Sequence, residues 1–60
     1  MKIKLELHKI ERDYEIKIII NHDRFSIEFM SSGSYSKSEA TYRIVQLAAM
    51  LEAGIDLKEN

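Results

Sequence analysis

Apolar and polar side chains alternate along three stretches in the first half of the chain. Over residues 2–8, isoleucine and leucine occupy every second position, and the same period returns over 14–21 and 24–30. Strict alternation in segments rich in β-branched and aromatic residues is typical of a strand that buries one face. The pattern therefore predicts three strands in an antiparallel meander.

Charged positions between the apolar ones indicate the register of the first hairpin. A four-residue loop at 10–13 places Glu6 opposite Lys17 and His8 opposite Glu15. A loop two residues longer would place like charges opposite each other, which destabilises a strand pair, whereas opposite charges contribute about 0.2–1 kcal/mol per pair. The sequence therefore predicts the shorter loop.

The second hairpin has a turn-like segment at Asn21, His22 and Asp23. Asparagine and aspartate tolerate the backbone of tight turns. If His22 and Asp23 form a two-residue loop, Ile20 pairs with Phe25 and every apolar residue of the two strands falls on one face. The same register places Lys17 opposite Glu28.

The second half of the chain has a helical pattern. Ser36 and Glu39 fit a capping box, in which the hydroxyl group and the carboxylate serve each other's backbone amides. Gly54 stands where a helix often ends. These signals predict a helix over 37–53 and a polar, fraying tail at 56–60. The apolar positions recur at helical spacing: Ala40, Ile44, Leu47, Ala48 and Leu51.

Together the elements predict a single α+β domain over residues 1–60, in which one C-terminal helix packs on one face of a three-stranded antiparallel sheet (β-β-β-α). A chain of 60 residues buries only about 60% of its unfolded surface, so association would add stability. Without cysteine, neither disulfides nor thiolate metal sites are available. The longest apolar run, 47–51, is too short to span a membrane, and no leader sequence precedes the first strand, so we expect a cytoplasmic protein.

The residues that could carry chemistry are few. His8 and His22 have no partners in sequence that would complete a metal site, and a sheet with one helix encloses no pocket for catalysis. We therefore expect no catalytic residues, no cofactor and no metal. Ser34, Ser36 and Lys37 could hold an anion at the helix start, although helix capping alone explains serines there.

The predicted outer face of the helix is unusually apolar. A solvent-facing helix in so charged a chain would normally carry lysine and glutamate. Small and adaptable apolar side chains there indicate a protein interface. We expect a homodimer through this face, with pairing of strand edges as the main alternative. The predicted interface residues are Tyr42, Val45, Ala49, Met50 and Ala53.

The sequence favours a non-catalytic protein-binding module, such as a small regulator or a phage- or mobile-element-encoded inhibitor of a host or defence protein. The net charge of −1 gives no general attraction to nucleic acid. The alternative is a nucleic-acid-binding domain or an antitoxin-like transcriptional partner. In element order the chain resembles plant AP2-type and integrase arm-binding domains. The helix entry, with Gly33, Ser36, Glu39 and Ala40, is similar to that of HicB-type antitoxins over about ten residues.

Overall fold

A computed structural model describes residues 1–58 as a four-stranded sheet with one helix, in the order β-β-β-α-β. The predicted combination of sheet and helix is confirmed. The elements are β1 (Lys2–Ile10), β2 (Asp13–Asn21), β3 (Ser26–Met30), α1 (Lys37–Leu51) and β4 (Gly54–Lys58). The strands lie in the order β3-β2-β1-β4, and β4 runs parallel to β1.

The fourth strand corrects the predicted fraying tail. Residues 54–58 pair with β1, and Leu5 lies opposite Ile55. The predicted meander is therefore only part of a mixed sheet. Residues 59–60, the end of the predicted tail, lie outside the described residues.

The first hairpin has the predicted register. Glu6 lies opposite Lys17, as the pattern of charges required. Pairing continues to Ile10 and Asp13, so the turn contains two residues rather than four. Glu11, the first of these, has a left-handed backbone with φ of 57°.

The second hairpin differs from its predicted register by two residues. Ile20 lies opposite Ile27, not opposite Phe25. The His22 N–H donates to the Phe25 carbonyl at 2.8 Å, and the two rings stack with centroids 4.9 Å apart, which moves the turn to 23–24. Because side chains alternate with a period of two, an even shift leaves every apolar residue on its predicted face.

The helix packs on β1, β2 and β4 and leaves β3 uncovered. The prediction that it also covers the apolar residues of the third strand, predicted over 24–30, is therefore wrong: Phe25, Ile27 and Phe29 are 53%, 41% and 53% exposed. A helix is about 10 Å across and strands lie about 4.8 Å apart, so a helix centred near β1 reaches its two neighbouring strands but not β3. The buried core contains Leu5, Leu7, Tyr14, Ile16, Ala40 and Ile44.

The helix ends two residues earlier than predicted. Its last residue is Leu51, and Glu52 takes the left-handed conformation, with φ of 52°, that glycine was expected to supply at position 54. Gly54 has no positive φ and begins β4 instead. The chain therefore reverses at Glu52 and Ala53, which returns it directly to the edge of β1.

A glycine at this reversal should stabilise the fold. We expect Glu52→Gly to raise the free energy of unfolding by about 0.5–1 kcal/mol, because glycine adopts the left-handed conformation without strain. Glu52→Ala removes the same carboxylate but keeps the strain, so it should bring no gain. Urea denaturation of both variants checks this, and an equal gain from alanine would contradict it.

Candidate functional site

The outer face of α1 is open to solvent and largely apolar. Tyr42, Val45 and Met50 are 65%, 53% and 78% exposed, and Ala49 lies exposed among them. Ala53, predicted to belong to the same face, lies beyond the helix end and packs partly against the core. We call the four exposed residues, Tyr42, Val45, Ala49 and Met50, the outer patch.

Polar groups beside the outer patch are engaged with one another. Arg43 donates to the Glu39 carboxylate at 3.0 Å and lies over the Tyr35 ring, 4.9 Å from its centroid. The Gln46 amide donates to the Tyr42 hydroxyl group at 2.9 Å. An apolar centre with a polar border is the usual composition of a protein interface.

A groove lies between α1 and the uncovered side of the sheet. It has a volume of about 280 Å³ and a mainly apolar lining. Sequence reasoning missed this groove because it left out β4 and placed the helix over β1, β2 and β3. In the structure the helix lies over β1, β2 and β4 instead. The widths of a helix and of a strand pair were the signal that one helix cannot reach every strand of the sheet. Its apolar lining includes Ile18, Phe29, Leu47 and Met50.

The opposite face of the sheet carries mixed charges that pair among themselves. Lys17 was predicted to lie opposite Glu28, but its Cα partner in β3 is Met30. The Lys17 ammonium still reaches the Glu28 carboxylate diagonally, at 3.7 Å. Lys17 thus lies between Glu28 on one neighbouring strand and Glu6 on the other, as predicted.

Glu6 lies at the centre of this face and is only 8% exposed. Its carboxylate lies 2.8 Å from the His8 imidazole, and this hydrogen bond holds the pKa of Glu6 below its ordinary value. Lys4 and Asp56 form a second pair at 2.7 Å, which lowers the pKa of Asp56 and raises that of Lys4. Both carboxylates therefore favour the folded state in their ionised form.

This electrostatic arrangement predicts acid sensitivity. A carboxylate whose pKa is lowered by folding stabilises the protein above its unfolded pKa, about 4.3 for glutamate, and this stabilisation disappears as the pH falls through the folded pKa. We expect the melting temperature to fall from pH 6 to pH 3, and to fall less in Glu6→Gln. Glu11→Gln, in the exposed turn, should keep the wild-type slope. Equal slopes for Glu6→Gln and wild type would contradict the role of Glu6.

The serine-rich turn before α1 binds parts of its own chain. The Ser36 hydroxyl group accepts from the Glu39 amide at 3.3 Å, which is one half of the predicted capping box. The Glu39 carboxylate, expected to accept from the Ser36 amide, accepts from Arg43 instead. The Ser34 hydroxyl group donates to the Asp13 carboxylate at 3.4 Å. Lys37 begins the helix beside them. These contacts fit helix capping, and the Asp13 carboxylate places negative charge where the predicted anion would lie.

The two histidines lie apart from each other. His8 contacts Glu6, and His22 stacks on Phe25. Among residues 1–58, no three histidine or acidic side chains lie close enough together to hold a metal ion. Within the same range, no helix has the length and apolar content needed to cross a bilayer.

Comparison of the chain with family models, with curated proteins and with solved structures found no match. The functional interpretation therefore depends on the surfaces described above.

Proposed function

We propose that this chain is a non-catalytic module that binds a protein partner through the outer patch of α1, as a small regulator or inhibitor. The observation that carries the proposal is the exposure of Tyr42, Val45 and Met50 on one helix face. Adjacent large apolar side chains facing solvent typically mark an interaction surface. Tyrosine and methionine are also enriched at protein interfaces.

The charged face of the sheet supports a protein partner rather than a nucleic acid. Two of its lysines have carboxylates beside them: Lys4 pairs with Asp56, and Lys17 with Glu28. Phosphate contacts dominate affinity for nucleic acids, and carboxylates among the cations would oppose them. The central carboxylate, Glu6, is likewise engaged by His8, which fits a structural role better than acid–base catalysis.

Affinity capture with paired variants tests the proposal. The wild type and a double variant, Val45→Lys with Ala49→Glu, serve as baits in extracts of the source cell. We expect a protein that the wild type retains and that the double variant loses, because the variant places two charges within the outer patch. Purified partner should then show at least a tenfold loss of affinity in calorimetry, as expected when a buried contact acquires charge.

A matched control places the same two charges in the serine-rich turn before α1, as Ser32→Glu with Gly33→Lys, because Ser32 is exposed and a side chain at Gly33 would meet open space. This control should retain the partner. Equal capture by the outer-patch variant would contradict the proposed site. Salt-dependent binding of labelled DNA or RNA by the wild type would instead support the alternative, a nucleic-acid-binding domain.

A further inference from the structure

We propose that two copies of this chain associate by antiparallel pairing of their β3 strands around a twofold axis. Two four-stranded sheets would then join into one continuous sheet. This surface is separate from the outer patch of α1, so the inference goes beyond the proposed function, and the two can fail independently.

The apolar side chains of β3 and of Phe25, which directly precedes it, supply the apolar part of this interface. Phe25, Ile27 and Phe29 share the face that α1 leaves open, and each is between 41% and 53% exposed. Sheets normally cover such a face with a helix or a second layer. Here the helix lies on the other three strands, so the apolar side of β3 lacks cover within the described part of the chain.

The backbone of β3 supplies the hydrogen bonds. β3 lies at the edge of the sheet with β2 on only one side, so its outer amide and carbonyl groups are available for another strand. Charged residues protect edge strands from pairing, and Glu28 is the one charged residue of β3. The opposite edge, β4, carries Asp56 and Lys58 within the same length. The β3 edge is therefore the more readily paired of the two.

Charge selects one register for the pairing. When the twofold axis passes through Ile27, Phe25 lies opposite the partner's Phe29, and Ser26 lies opposite the partner's Glu28. A hydroxyl group then faces each carboxylate. A register centred on Glu28 would place two carboxylates directly opposite each other, which destabilises strand pairs. The structure therefore favours the axis at Ile27.

The exposed area fits a dimer of moderate affinity. The exposed surface of Phe25, Ile27 and Phe29 is roughly 300 Å² in total, given about 200 Å² for a whole large side chain. A standard interface buries about 800 Å² on each partner, somewhat more than half of it apolar. The β3 face supplies most of that apolar share, and the paired backbone would supply the polar share.

A charge-exchange experiment tests the twofold axis. We expect sedimentation of the wild type to show a dimer at high micromolar concentration. Ile27→Lys and Ile27→Glu should each be monomeric, because the axis places two like charges opposite each other. An equimolar mixture of these two variants should sediment as a dimer, because unlike charges then meet. The outer-patch variant Val45→Lys with Ala49→Glu is the control and should remain dimeric.

Hydrogen exchange of the wild type provides a test that does not depend on how the variants fold. Amides of residues 25–30 should become more protected as the protein concentration rises. A monomeric wild type at high micromolar concentration would overturn the proposal. Loss of the dimer in the outer-patch variant alone would assign self-association to the helix face. Concentration-dependent protection at 54–58 in place of 25–30 would assign it to the β4 edge.

Discussion

Leu5→Ala is expected to cost about 2–5 kcal/mol of the free energy of unfolding, because it opens a cavity at the most enclosed site of the sheet. Leu5 has no exposed surface, and its strand lies between β2 and β4, with Ile18 and Ile55 directly opposite. A domain of this size has a total stability of only about 5 kcal/mol, so the variant should keep only about 0–3 kcal/mol and unfold at much lower urea concentration than the wild type. Urea denaturation followed by circular dichroism measures the loss.

The matched comparison is Ile18→Ala, which deletes the same number of carbon atoms on the neighbouring strand. In the predicted three-stranded sheet, Ile18 would be the costliest truncation because its strand would be the central one. In the structure Ile18 is only partly buried and lines the groove beside α1. Its loss should therefore cost less than that of Leu5. A larger loss for Ile18→Ala would show that the groove is closed in solution, by a partner or by a second copy.

The parts of the fold that the sequence predicts correctly depend on local signals. The pairing of Glu6 with Lys17 fixes the first hairpin, because a slip of two residues brings like charges together. Ser36 caps the helix by accepting from the amide three residues later, so four consecutive residues are enough to predict this cap. Periodicity predicts the buried face of each strand even where the register is wrong. A register shift by an even number of residues keeps every side chain on the same face of the sheet.

The missed features depend on contacts between distant segments. Gly54 is compatible both with a helix end and with a strand start, and only the open edge of β1 decides between them. The turn at 23–24 is closed by the bond from the His22 amide to the Phe25 carbonyl and is accompanied by stacking of the two rings, a pairing that alternation alone does not indicate. The sequence therefore predicts the presence of a strand more reliably than the register of its pairing with a neighbouring strand.

The candidate site was predictable to a similar degree. Helical spacing placed Tyr42, Val45 and Met50 on the solvent side, where the structure has them. The spacing also extended the same face to Ala53, which the early end of the helix removes. The open apolar side of β3 was missed because it depends on where the helix crosses the sheet. The periodicity of a segment shows which of its faces is buried, but not which strands lie beneath the helix.

Removal of β4 should be nearly as damaging as the loss of Leu5. A chain that ends at Ala53 leaves the edge of β1 unpaired and partly uncovers Leu5 and Leu7. Exposure of these leucines should lower the free energy of unfolding by about 2–4 kcal/mol, because full exposure of a leucine costs about 1.5–3 kcal/mol. Thermal and urea denaturation of this shortened chain against the wild type measures the effect.

A point variant separates strand pairing from the ion pair that accompanies it. Asp56→Asn keeps β4 but removes the carboxylate that Lys4 contacts at 2.7 Å. Both side chains are about 45% exposed, so solvent and salt screen their attraction. The stability of the variant should therefore remain close to that of the wild type, and any difference should disappear at high salt.

If the shortened chain instead melted like the wild type, β4 would contribute nothing to stability, and a three-stranded meander with one helix would be sufficient for folding. If Asp56→Asn alone were as unstable as the shortened chain, the ion pair rather than backbone pairing and leucine burial would hold β4 on the sheet.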